Sequence, residues 1–102
     1  MEVMFTIVGI NHYFDSDDLR ANQEIILRKE LDNKIDEEAI VVYTNDLNKV
    51  GYIANSVNTR AKGTYSAGRL YDKIDNEVVA RALVIFHNTA IGVIHINDEK
   101  DL

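Results

Sequence analysis

Cysteine is absent from this chain, which rules out disulfide staples, thiolate metal sites and cysteine nucleophiles, and which fits a reducing cytoplasm. Proline is absent too, so no rigid X-Pro turn punctuates the chain and no proline guards a sheet edge. Glycines stand only at 9, 51, 63, 68 and 92. They never form Gly-x-Gly or a Walker pattern, so a phosphate cradle and nucleotide hydrolysis are not indicated. No run approaches the ~18 apolar residues that span a bilayer, and Met1-Glu2-Val3-Met4 lacks a basic stretch leading into an apolar one. Neither membrane insertion nor export is expected.

Cations are scarce as well, with 11 Lys and Arg against 17 Asp and Glu and a net charge of −6. Such a balance argues against tight binding to phosphate backbones, which relies on Lys and Arg displacing counterions. The distribution is uneven. Residues 14–46 hold ten acids against four bases, whereas residues 47–71 hold Lys49, Arg60, Lys62 and Arg69 and no acid. If folding gathers those four, an acidic protein carries a local positive surface; if it scatters them, they are solubilising charges.

What is present is ordinary globular material, 46% apolar and 27% charged, in one domain's length of 102 residues. A single domain over 1–102 is expected, with a core over 3–96 and a frayed tail over 97–102. Residues 3–10, 24–31, 39–44, 50–54, 78–87 and 90–96 are rich in β-branched and aromatic side chains and are bounded by turn residues, so each is predicted to be a strand. Leu83-Val84-Ile85-Phe86 and Ile91-Gly92-Val93-Ile94 read as a buried hairpin. A helix of two turns is predicted over 56–62, from the capping Ser56 to Gly63, with Val57 and Ala61 forming its apolar edge. Residues 64–75 read as irregular. Six strands with turns every 8–12 residues favour a mainly β fold, a small six-stranded OB-like or SH3-like barrel with one short α-helix.

Catalytic chemistry is sought and not found. Thr64-Tyr65-Ser66-Ala67-Gly68 approaches the Gly-x-Ser-x-Gly elbow but lacks its first glycine and its feeding strand, which leaves Ser66 a turn or helix-capping hydroxyl. His12, His87 and His95 have no metal-ligand spacing. Asp15, Asp17 and Asp18 invite a calcium reading, yet the central Gly and terminal Glu of such a loop are missing. No cofactor and no enzymatic activity are expected.

Three stretches stand out by order and spacing: Val8-Gly9-Ile10-Asn11-His12-Tyr13, then Asp32 to Val42 with Asp36 ahead of Ala39-Ile40-Val41-Val42, then Lys49-Val50-Gly51-Tyr52-Ile53. Together they resemble the HIRAN domain. The resemblance implies a compact β-barrel that, in DNA-remodelling members, grips the free 3′ end of single-stranded DNA in repair or replication. It implies that Tyr13 and His12 are an aromatic pair stacking on a base, that Tyr52 lines the pocket, and that Asp36 accepts the terminal 3′-hydroxyl. Arg60, Lys62 and Arg69 are the expected phosphate contacts. Asn11 stands where such members carry a basic residue, and Lys34-Ile35 stand where Pro-Tyr is usual, so one phosphate contact and one stacking platform are lost. Residues 63–71 look like those of stand-alone bacterial members. On the residues alone, His12, Tyr13 and Tyr52 also suit packing in the core or at a barrel mouth, and Asp36 suits fixing its own turn. The expected partner is single-stranded DNA, and the alternative is a protein-interaction module, a homodimer included, using the same barrel.

Overall fold

The computed structural model describes residues 1–14 and 18–97. Asp15 and Asp17 of the acidic stretch, and the tail beyond Asn97, therefore lie outside the described residues. The elements run β1 (Glu2–Val8), α1 (Ile10–Tyr13), β2 (Glu24–Lys29), β3 (Ile40–Thr44), β4 (Lys49–Ile53), α2 (Ala67–Tyr71), β5 (Glu77–Phe86) and β6 (Thr89–His95). The six strands close into an antiparallel barrel in the order β1-β4-β3-β2-β5-β6. All six predicted strands are present, with ends shifted by one or two residues.

Alternation builds the interior. Phe5, Ile7, Ile25, Leu27, Ile40, Val42 and Val50 are fully buried and meet in one core, capped by Ile10 and Leu70 from the two short helices. Each such side chain removed from water contributes ~1.5–3 kcal/mol. Closure is incomplete at one seam, because β1 pairs with β4 only at Ile7↔Ile53 and Val8↔Tyr52. The 54–66 segment fills it: Ala54 N donates to Thr6 O at 2.8 Å and Tyr65 N to Met4 O at 2.8 Å.

The structure departs from the sequence-based expectation in its helices and in the burial of its last hairpin. No helix forms over 56–62. Ser56 starts one turn, accepting from Thr59 N and Arg60 N, but Ala61 N then donates to Thr6 Oγ1 and Ala61 O accepts from Thr64 Oγ1. Strand β1 thus captures the Ala61 N–H that a helix would have used, and Val57, its intended anchor, is 76% exposed. The helix lies instead in the stretch read as irregular, at Ala67–Tyr71, with Ser66 Oγ accepting from Arg69 N as its cap and with Ala67 and Leu70 buried. Among the described residues there are therefore two short helices rather than one. The β5–β6 hairpin is also not wholly buried, since Val84 and Phe86 are exposed on its outer face. Among the described residues no helix is long and apolar enough to cross a membrane.

Candidate functional site

Strand β1 leads directly into the site. Gly9, at φ 75°, takes the left-handed conformation that turns the chain out of the strand, and α1 follows as one turn closed by Phe14 N donating to Ile10 O at 2.8 Å. Ile10 is drawn into the core, which leaves Asn11, His12 and Tyr13 facing out. Below them, Gly51 allows β4 an unusually close approach: a Cβ there would stand 2.4 Å from the Val8 carbonyl oxygen. This seats α1 over Tyr52, so that the Tyr13 and Tyr52 ring centroids lie 6.0 Å apart at 59° and His12 meets Tyr13 edge-on at 5.8 Å. The expected aromatic trio is one cluster, with Tyr13 46% exposed and Tyr52 half-buried.

Lys49 completes that cluster through an irregularity in β4. Residues three apart in a regular strand point to opposite faces. Here the register passes from Val42↔Gly51 to Tyr43↔Lys49, inserting one extra residue in β4, and the bulge turns Lys49 onto the face of Tyr52. Lys49 Nζ lies 4.2 Å from the Tyr13 centroid and 4.5 Å from that of Tyr52, and donates to Tyr52 Oη at 3.0 Å. Tyr52 Oη in turn donates to the Glu30 carboxylate, 3.0 Å from each oxygen. Burial works against the Lys49 charge, but its bond to Tyr52 and the field of Tyr52, Tyr13 and Glu30 outweigh it and raise its pKa above the usual lysine value. For Tyr52 the bond from Lys49 favours ionisation, while burial and Glu30 oppose it and prevail, raising its pKa. At neutral pH the pair is an ammonium beside a neutral phenol.

The acid turn joins at Glu30. Glu30 Oε1 accepts from Asn33 Nδ2 at 2.7 Å, and Asn33 Oδ1 accepts from the backbone N–H groups of Ile35 and Asp36 at 2.9 and 2.8 Å. Asp36 Oδ1 accepts from Glu38 N at 2.9 Å, and among the described residues its second oxygen has no protein partner. Asp36 thus fixes its own turn and keeps one free acceptor. Ile35 projects into solvent, 98% exposed. Glu38 lies over α2, where a Cβ on Gly68 would meet its Oε1 at 2.5 Å. An unbroken run of contacts therefore leads from Tyr13 through Lys49, Tyr52, Glu30 and Asn33 to Asp36.

The remaining cations behave differently from one another. Arg60 turns inward: its guanidinium donates to the Thr64 carbonyl of its own loop, with Nε buried and unpartnered. Arg69 lies over the Tyr65 ring at 3.9 Å, and Lys62 is exposed. Of the four bases in residues 47–71, Lys49 is the one in contact with the aromatic pair.

A family model for the HIRAN domain matches residues 1–90. The chain belongs to the HIRAN domain family. The HIRAN domain of human HLTF has the same fold, at TM-score 0.71 and 19% identity, over 93% of this chain and 74% of that one. A protein from Lactobacillus plantarum aligns at TM-score 0.59 and 22% identity, over 93% of this chain and 98% of the other. No curated protein matches the sequence. In this HIRAN barrel, Lys49, Glu30 and Asn33 are the members of the cluster that the sequence does not assign to the site. Strict alternation places Lys49 opposite Tyr52, and Glu30 and Asn33 read as solvated rim and turn residues. An odd spacing of Lys49 from Tyr52 beside a glycine was the signal available.

Proposed function

We propose that this HIRAN barrel binds the free 3′ end of single-stranded DNA. The observation that carries the reading is the run of contacts that starts at an exposed aromatic ring, Tyr13, and ends at the backbone of Asp36, whose carboxylate keeps one free oxygen. A terminal base stacks on Tyr13, flanked by His12, for about 1–3 kcal/mol. Tyr52, held by Glu30 and Lys49, supports that ring from below. The 3′-hydroxyl donates to Asp36, a charge-assisted bond contributing about 1.5–3 kcal/mol. Asp36, Glu37 and Glu38 make the turn strongly negative, so a terminal phosphate is repelled where a hydroxyl is accepted. On this reading the protein is a binding module rather than an enzyme, and serves DNA repair or replication in a bacterial cytoplasm.

The test is to titrate a fluorescent oligonucleotide ending in a 3′-hydroxyl against the same strand ending in a 3′-phosphate. The hydroxyl form should bind roughly 10-fold to 100-fold more tightly. Equal affinities would remove the end-gripping mechanism.

A second reading, a protein-docking module on the same barrel, is favoured by one observation. The outer faces of β1 and β5 expose Met4, Val79, Val84 and Phe86 to solvent. A homodimer seen by sedimentation and unchanged by oligonucleotide supports this reading over the first.

A further inference from the structure

We infer that Lys49 is the cation that contacts the phosphate beside the stacked base, a deepening that rests on the reading just given. Its Nζ is held at the aromatic pair from both rings, 4.2 and 4.5 Å from their centroids. Of the three N–H donors of an ammonium, one is committed to Tyr52 Oη, and among the described residues no carboxylate lies within ion-pairing distance of Nζ. Glu30, the nearest acid in the network, is already occupied by the Tyr52 hydroxyl and by Asn33. Two donors therefore remain next to the ring on which a base would lie, on an ammonium that Glu30 balances only through the intervening Tyr52 hydroxyl and not by a direct ion pair. A nucleotide stacked on Tyr13 carries its phosphate one sugar away from that ring, within reach of a flexible lysine head.

The other cations are less suited. Arg60 is turned inward onto the Thr64 carbonyl, Arg69 lies over the Tyr65 ring and Lys62 is exposed, and none of the three contacts the Tyr13–Tyr52 pair. At the stacked base Lys49 is therefore the cation in position, and it contributes one phosphate contact to the salt dependence of binding. The bulge in β4 is what makes this contact available, since a regular strand would carry the side chain to the opposite face.

The experiment measures binding of a fluorescent single-stranded oligonucleotide with a free 3′-hydroxyl across a range of salt, for the wild type, K49R, K49Q and K49Q/N11R. Asn11 is exposed on α1, two residues before Tyr13, and an arginine there can present a guanidinium to the same region. K49Q should bind about 10-fold more weakly, and its slope of log affinity on log salt should be shallower by ~0.7, the contribution of one single-strand phosphate contact. K49R should keep the wild-type slope, and N11R should restore it in the K49Q background. A lysine that merely packs the two rings predicts otherwise: weaker binding with the full slope retained and no rescue by N11R. That result overturns the inference while leaving the proposed function standing. A wild type that ignores the oligonucleotide at every salt concentration overturns both.

Discussion

Gly51→Ala is the substitution that couples fold and site most directly. The added Cβ would sit 2.4 Å from the Val8 carbonyl oxygen and 3.3 Å from Ile7 Cγ2. The closest contact is with backbone, so no rotamer change relieves it; β1 and β4 must part by about 0.6 Å merely to reach the 3.0 Å limit of real contacts. Overpacking of a well-packed interior costs about 1–3 kcal/mol, and a clash with main chain belongs at the upper end. For a domain of this size each kcal/mol moves Tm by about 4–8 °C, so a fall of roughly 10–20 °C is expected by calorimetry. The same displacement lifts Gly9 and α1 off β4, so NMR contacts between the Tyr13 and Tyr52 rings should weaken. Gly63→Ala is the control. That glycine has φ 89°, and an added methyl would meet nothing within 4 Å, so only the left-handed strain of about 1–2 kcal/mol is incurred and the ring contacts stay. A Gly51→Ala protein melting within about 2 °C of wild type, rings in place, would refute the close-approach argument.

Thr6→Val should destabilise the protein by about 1–3 kcal/mol in urea titrations, because the Ala61 N–H loses its acceptor at 3.0 Å and Thr64 Oγ1 loses one of its two partners, at 2.8 Å. Combining it with Thr64→Val should cost less than the sum of the two, since both act in one network. The alkaline limb of stability should report on Lys49 and Tyr52. Both folded pKa values are raised above 10.5 and 10.0 respectively, so each stabilises the fold fully below its unfolded value and loses that contribution as pH rises through the folded one. Tyr52→Phe should accordingly flatten the fall in Tm above about pH 10, a change that melting curves from pH 7 to 11 would detect. Tyr13→Ala should weaken oligonucleotide binding by about 1–3 kcal/mol with little change in Tm, because the ring is exposed; unaltered affinity would count against stacking.

The barrel was largely legible because its information is local. Ile25-Ile26-Leu27 and Ile40-Val41-Val42 are short β-branched or aliphatic runs bounded by turn residues, which mark strands without reference to the rest of the chain. The helix over 56–62 failed for a reason that no local reading contains: Thr6, some fifty residues earlier, takes the Ala61 N–H. At 67–71 the opposite happened. Gly68 argues against a helix by propensity, yet Ser66 supplies the cap and Ala67 and Leu70 the buried anchors that outweigh it. The aromatic pair and Asp36 were visible through spacing and resemblance. Their connection was not, since it passes through Lys49, which only a bulge brings round, and through Glu30 and Asn33, whose roles depend on strands meeting in space.

Chemical-shift mapping of the labelled protein with a short single-stranded oligonucleotide bearing a 3′-hydroxyl tests the central claim most directly. The largest perturbations should fall together on Tyr13, Lys49, Tyr52 and Asp36, and should shrink when the strand ends in a 3′-phosphate. Perturbations confined to the β5–β6 hairpin around Val84 and Phe86, or none at all, would contradict the account.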